Sequence, residues 1–247
     1  MPVTSNREPI AILTYHQIAE APPHGAPYRS LYVSPAAFSR QMAFLSALGY
    51  KGLSMSELMP YLTGVKNGKV VGITFDDGYL NNLANALPVL QKQKFTATCY
   101  AVSQLLGKTN EWDRDVGIAQ TPLMTAAQLR DWVAAGQELG AHTRHHVHLN
   151  QCDVDVGRRE LALCKTELEA ETNAVVNHFC YPYGEFSRDH VAMVEQVGYQ
   201  SATTTQRGRC GTGENLAQLP RISIHRTTTL AGMWLRVATR YDDRSAK

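Results

Sequence analysis

"KVVGITFDDGY", residues 69–79, decides how this chain folds. Seven residues of nearly unbroken apolar, β-favouring character run straight into two aspartates and a glycine. A continuous apolar run of strand length, without the alternation of a half-exposed strand, predicts a strand covered on both faces. Such strands belong to parallel sheets with helices packed outside them. Asp76-Asp77-Gly78 is a turn by composition. Two adjacent carboxylates at a buried strand end are nevertheless costly unless a cation or hydrogen bonds compensate them. One could ligate a metal while the other stays free as a base.

Working outward, short β-rich runs alternate with helix-period segments over the whole chain. "IAILTY" (10–15), 51–53, "FTATCYAV" (95–102), "QELGAH" (137–142), "VVNHFCY" (175–181), "QSATTT" (200–205) and "LPRISI" (219–224) read as strands. Helices are predicted after Ser34-Pro35, after "SMSE" (54–57), near 81–93, from Thr125 to about Ala135, over Val156–Ala170, from Ser187 to Val197 and from about Thr229 to Thr239. Ser54 with Glu57, and Thr125 with Gln128, have the spacing of capping boxes. Asp153 or Asp155 caps the helix whose apolar face carries Leu161, Cys164 and Leu168. About seven such units close into a TIM-like α/β barrel, with an open doubly wound sheet as the alternative. No G-x-G-x-x-G follows a strand, so nothing points to a dinucleotide. The chain is read as one domain, residues 1–247.

Composition excludes several function classes. With 24 Lys and Arg against 22 Asp and Glu the formal net charge is +2, too near neutral for a nucleic-acid binder. No stretch reaches the ~20 apolar residues of a membrane span. The N-terminus lacks a basic, then apolar, leader pattern. Five widely spaced cysteines without a C-x-x-C pair read as free thiols. Both features predict a cytoplasmic protein. The Pro- and Gly-rich stretch 20–33 is expected to be a rim loop shaping a cleft.

The polar clusters His16, Asp76-Asp77, His142–His148 and Tyr181–Gly184 each follow a predicted strand, at the rim where barrel enzymes keep their chemistry. "GAHTRHHVHLN" (140–150) packs four of nine histidines into seven positions. His142 and His146, at i and i+4, share one face if the segment makes a helical turn; His142 with His145 is the competing pair. Two imidazoles, one carboxylate and open positions suit a catalytic Zn²⁺, with Co²⁺, Ni²⁺, Fe²⁺ or Mn²⁺ as alternatives. His148 is read as a solvated loop residue. His24, His178 and His190 show no partner pattern and are read as structural or exposed.

"TFDDGY" (74–79), "HTRHH" (142–146) and "FCYPYG" (179–184), in this order and each after a strand, resemble the successive motifs of the polysaccharide deacetylase family, the NodB-homology carbohydrate esterases. The likeness extends from "ILTYHQI" (12–18) to "LPRISI". It implies a distorted (β/α)7 barrel and metal-dependent removal of N-acetyl groups from N-acetylglucosamine-type sugars, in a polymer, an oligosaccharide or a precursor. Carried over by position, Asp77, His142 and His146 would hold the metal and Asp76 would be the general base. His145 then falls in a variable slot, and Thr143 is expected to steady the loop. In the third motif Tyr181, Pro182, Tyr183 and Gly184 would contact substrate, with the Tyr183 backbone N–H donating to the oxyanion.

The match departs at one place. Many members carry an Arg three residues before the Tyr of the third motif, where it orients the base; here that residue is Cys180. Arg221, at the end of the last predicted strand, is the candidate to replace it. His16 is read as the active-site residue that protonates the leaving amine, with His225 in "SIH" as the alternative. Tyr15, Tyr79 and Trp112 are candidates for stacking on a sugar ring, with core packing as the expected use of at least one. Competing functions are a hydrolase of another linear or cyclic amide and a carbohydrate-binding pseudoenzyme. A 2-His-1-Asp oxygenase would leave Asp76 without a role.

Overall fold

Every residue of the run Val70–Phe75 is buried, and hydrogen-bonded strands flank it on both edges. The computed structural model describes residues 8–211 and 213–243; the first residues of the stretch read above for a leader lie outside them. The strands are β1 (Ile12–Tyr15), β2 (Gln17–Ile18), β3 (Tyr32–Val33), β4 (Lys51–Leu53), β5 (Val70–Phe75), β6 (Thr98–Ala101), β7 (Glu138–Ala141), β8 (His178–Cys180), β9 (Ser201–Arg207) and β10 (Leu219–Ser223). The helices are α1 (Pro35–Ala47), α2 (Met55–Leu62), α3 (Leu87–Gln93), α4 (Ala126–Ala134), α5 (Val154–Thr172), α6 (Arg188–Val197) and α7 (Leu230–Ala238).

All pairings of the main sheet are parallel, in the order β1-β10-β9-β8-β7-β6-β5, and β1 pairs back onto β5 to close the ring. The fold is therefore a (β/α)7-type barrel, and the open sheet is excluded. The barrel is distorted where β4 pairs with the lower half of β5, at Val70–Gly72, while β6 takes the upper half at Thr74 and Phe75. The stretch 20–33 follows β2 and ends in β3, and these two strands pair in parallel with each other.

Successive strand residues face opposite sides, and the buried side chains sort accordingly. Ile12, Val70, Tyr100, Cys180 and Leu219 meet inside the barrel, closed below by Met55 and Leu58 of α2. Leu13, Ile73, Phe75, Cys99, Phe179 and Ile222 face outward against the helices, among them Leu161, Cys164 and Leu168 of α5. Gly140 is required inside, because a Cβ there would stand 2.4 Å from the Tyr100 ring. The same alternation continues upward. The inward positions above Ile12, Val70, Gly140 and Leu219 are His16, Asp76, His142 and Arg221. Period two thus delivers the polar residues to one end of the barrel.

Local signals fare unevenly. Thr125 and Gln128 form a full capping box at α4. Ser54 caps α2 without a side-chain bond; the Glu57 carboxylate takes the Thr96 hydroxyl instead, and Thr96 Oγ1 accepts the Ser54 N–H at 2.9 Å. The helix expected near 81–93 begins as a π-helical turn, Asn82–Ala86, before α3. Asp153 stands at the N-cap of α5, again without a side-chain bond. All five cysteines are unpaired. Among the described residues no helix is long and apolar enough to cross a membrane.

Candidate active site

The C-terminal ends of the strands surround a cleft of about 310 Å³ lined by His16, Asp76, Asp77, His142, His146, Tyr181 and Tyr183, with Trp112, Asp113 and Tyr79 completing its walls. Tyr28, Leu31 and Tyr32, from the stretch expected to form a rim loop, line it too.

Asp76 and Asp77 are sequence neighbours with different partners. Asp76 N–H bonds the Tyr15 carbonyl and its carboxylate points inward. There it meets the Arg221 guanidinium in a two-pronged pair, Nη1 to Oδ1 and Nη2 to Oδ2, both 2.8 Å. Arg221, 2% exposed, spends its other donors on the Thr204 carbonyl (2.9 Å), Thr74 Oγ1 (3.0 Å) and Cys180 Sγ (3.1 Å). The guanidinium thus reaches from β10 across to the residue where the resembling family has its own arginine. Burial pushes the Asp76 carboxyl up, but the charge and hydrogen bonds of Arg221 outweigh it and leave the group below its ordinary range.

Asp77 takes a left-handed backbone (φ 74), which swings its carboxylate away from Asp76 and towards the histidines. His142 Nε2 lies 3.4 Å and His146 Nε2 3.3 Å from Asp77 Oδ1. Burial pushes this carboxyl up too, yet the hydrogen bonds of His142 and His146, with the charges of His146 and His16, hold it well below the ordinary range. Burial lowers His146, which favours the neutral imidazole. His142 Nδ1 donates to the Cys180 carbonyl at 2.7 Å, which fixes the tautomer and leaves Nε2 free to ligate. Separations of 3.3–3.4 Å are long for hydrogen bonds. They equal the edge of a tetrahedron whose corners lie about 2.0–2.1 Å from its centre, the reach of Zn²⁺ to N and O donors. Burial lowers His142 as well, but Cys180 and the Asp77 carboxylate outweigh it and hold the imidazole well above its ordinary value, so a cation at Nε2 would take the place of that proton. One carboxylate and two imidazoles, all buried, fit a divalent cation. Asp76, His142 and Cys180 also lie close together, but Arg221 occupies that carboxylate and thiol.

The turn carrying the histidines differs from the expected helical one. Thr143 (φ 61) and His146 (φ 57) are both left-handed, and 142–148 contains no helix. Convergence of the rings comes from this strained turn, at a cost of order 1–3 kcal/mol per residue. The Thr143 hydroxyl finds no hydrogen-bond partner among the described residues, so it does not steady the loop; the Thr143 carbonyl does, accepting from Ser103 N and Cys164 Sγ. His145 faces Glu160 at 2.7 Å and takes no part in the cluster. His148 is not simply solvated: its ring stacks on Tyr183 (centroids 3.7 Å, planes 3° apart) and its Nδ1 faces Glu185 at 3.1 Å.

Tyr183 is left-handed as well (φ 57), and Gly184 follows at φ 71 with no room for a Cβ, which would meet Thr205 Oγ1 at 1.8 Å. The Pro182–Gly184 turn is thereby pressed against β9. Tyr181 is buried, its hydroxyl donating to the Ala217 carbonyl. Trp112 stacks on His146 at 4.2 Å and Tyr79 lines the cleft, whereas Tyr15 is a core residue bonded to Gln41. His16 lines the cleft; His225 is not among the lining residues, and its buried Nδ1 has no hydrogen-bond partner among the described residues. His24 is exposed, His190 completes a capping box with Ser187, and His178 is buried in a polar network below the site.

Three residues of the site carried no sequence signal. Asn82 bonds Ile18 N and the His16 carbonyl, tying the first strand's loop to the helix after "DDGY". Glu160 and Asp113 are the others. Burial pushes the Asp113 carboxyl up, the Asn110 hydrogen bond opposes this, and the Asp77 charge adds to it; the net shift is upward.

A polysaccharide deacetylase family model matches residues 63–202, more than half of the 247-residue chain. The chain belongs to the polysaccharide deacetylase family. Over 94% of its length this deacetylase resembles the Streptococcus pyogenes deacetylase PplD in complex with acetate, covering 99% of that chain at a TM-score of 0.82 and 26% identity. A polysaccharide deacetylase from Bacillus cereus matches 93% of this chain and 69% of its own, at a TM-score of 0.78 and 29% identity. In sequence, 205 residues are 24% identical to the poly-β-1,6-N-acetyl-D-glucosamine N-deacetylase of Staphylococcus aureus (strain MRSA252), covering 78% of this chain and 67% of that protein. The deacetylase is accordingly a hydrolase of non-peptide carbon–nitrogen bonds.

Proposed function

We propose that this deacetylase removes the N-acetyl group from N-acetylglucosamine-type residues of an oligo- or polysaccharide, using a divalent cation, Zn²⁺ by its donor set, held by Asp77, His142 and His146. The observation that carries the reading is the pairing of that buried O,N,N cluster with a separate, Arg221-clamped carboxylate at Asp76 in one cleft. The Staphylococcus aureus relative, named for its action on poly-β-1,6-N-acetyl-D-glucosamine, and PplD, with acetate bound, support the substrate class.

Bound there, the cation supplies Lewis acidity at the amide carbonyl and acidifies a water in the cleft. Asp76 takes the proton of the attacking water, a contribution of typically 10²–10⁴-fold. Arg221 is the positioning residue that keeps Asp76 ionised and aimed. The Tyr183 backbone N–H, presented by its left-handed turn, donates to the oxygen that gains charge as the carbonyl carbon becomes tetrahedral. The C–N bond then breaks; the nitrogen takes a proton from His16 and leaves as the sugar amine, and acetate remains. Tyr181, Pro182 and Gly184 shape the wall that holds the acetyl group. The catalytic unit is the whole barrel, since β1 and β10, outside the span 63–202, bring His16 and Arg221.

The test is acetate release from N-acetylglucosamine oligomers and monosaccharides with Zn²⁺ or Co²⁺, beside Asp76→Asn. Release that the variant loses by about 10²–10⁴-fold is the expected result. Absence of release from every sugar, with the cation bound one to one, would sink the substrate assignment.

A further inference from the structure

A turn with two left-handed residues holds its shape only where its surroundings over-determine it. For the segment between His142 and His146 the strongest constraint comes from α5. The Glu160 carboxylate, on a residue 6% exposed, lies directly beneath the turn. Its Oε2 accepts the backbone N–H of Arg144 at 2.9 Å and of His145 at 3.0 Å; its Oε1 faces His145 Nδ1 at 2.7 Å. Successive backbone N–H groups converging on one anion form a nest. A carboxylate this buried needs such partners, and all of these lie between the two histidines of the cation cluster. On the outer side, Glu167 holds Arg144 (Nε at 2.9 Å, Nη2 at 2.7 Å) and the Ser103 hydroxyl (2.6 Å). That pair is about a quarter exposed on both sides and is screened by solvent.

We infer that Glu160 is a positioning residue for the cation site. Its carboxylate locks the Arg144 and His145 amides, and so sets the backbone from which the Nε2 atoms of His142 and His146 converge on Asp77. His145 serves as the side-chain partner of that carboxylate. The inference rests on Asp77, His142 and His146 being the cation site.

The experiment measures Zn²⁺ affinity by competition with a chromophoric chelator, using full-length protein stripped of metal, alongside its thermal unfolding. The variants are Glu160→Ala, Glu160→Gln, Glu167→Ala and His142→Ala. Glu160→Ala should weaken Zn²⁺ binding by roughly 10–100-fold, the usual effect of removing a partner behind a ligand. Glu160→Gln keeps an oxygen for both amides and should stay within a few-fold of wild type, as should Glu167→Ala. Wild-type affinity in a folded Glu160→Ala overturns the proposal. If that variant does not fold, Glu160→Asp decides: with the carboxylate drawn back from the two amides, this variant should bind Zn²⁺ more weakly than Glu160→Gln does, and equal affinities overturn the proposal. His142→Ala separates the two readings. Unchanged Zn²⁺ binding in His142→Ala overturns the cation site itself, whereas loss there with no effect at Glu160 overturns only the positioning role.

Discussion

Replacing Arg221 by Met keeps the length and apolar stem of the side chain and removes the fork that holds Asp76. Asp76 then stands buried without its counter-charge, and breaking one side of a buried pair costs about 3–5 kcal/mol. A second estimate gives the same size. The carboxyl can escape by taking a proton, which at pH 7 costs about 4 kcal/mol for a group of ordinary pKa near 3.9. At roughly 2–4 °C per kcal/mol for a chain of this length, the melting temperature at pH 7 should fall by about 6–20 °C.

The pH dependence carries the decisive sign. In the wild type the folded pKa of Asp76 is depressed. Its pair contributes stability above the unfolded value near 3.9, and that contribution is lost as pH falls through the folded value. In Arg221→Met the folded pKa is raised instead, so acidification from pH 7 towards 4 relieves the buried charge. The gap in melting temperature between wild type and variant should therefore shrink steadily over that range. Acetate release should lose its neutral-pH rate, because Asp76 is protonated there, with the acid limb of kcat/KM moving to higher pH. Arg221→Lys, which keeps charge without the planar fork, should fall between. In the double variant with Asp76→Asn the stability losses should be well below additive. A melting gap constant from pH 8 to 4.5, with an unmoved pH–rate profile, would show that Arg221 only fills space.

Further outcomes follow from the same geometry. Stripping the protein with a chelator should abolish acetate release, and Zn²⁺ should restore it to the wild type but not to Asp77→Ala. Gly184→Ala forces a Cβ towards Thr205 at a positive φ; it should cost about 1–3 kcal/mol by denaturant unfolding and lower kcat more than KM, with Thr205→Ala recovering part. Burial holds the His178 imidazole below its ordinary value, despite Glu138. A base depressed on folding contributes stability above about pH 6.5 and loses it as pH falls. The melting temperature should drop from pH 8 to 5 more steeply in the wild type than in His178→Gln, and parallel curves would exclude this account.

Much of this was legible in the sequence because it rests on periodicity. The apolar run at Val70–Phe75 announces a doubly covered strand, and counting by twos from it reaches Asp76. What the sequence hides are choices made by tertiary neighbours. Ser54–Glu57 and Thr125–Gln128 have the same capping spacing, yet only the second forms the box, because Thr96 claims Glu57. The i, i+4 spacing of His142 and His146 suits a helix as well as a strained turn. The turn wins through contacts from Ser103, Gln104 and Glu160, none of them near it in sequence. Glu160 itself reads as one more charge on an amphipathic helix.

Arg221 shows that a cysteine at the motif position need not leave Asp76 without a guanidinium. A guanidinium can hold Asp76 from any strand that presents an inward side chain at the right level of the barrel. β10 does so, because Leu219 is inward and two residues further on the chain faces the same way. Cys180 then has to be small. Its Sγ sits 3.1 Å from Arg221 Nη2 and 3.6 Å from Asp76 Oδ2, where a second long cation would overlap the first. Small residue at 180 and arginine at 221 are thus one solution to one constraint, a buried carboxylate held ionised beside the proposed cation site.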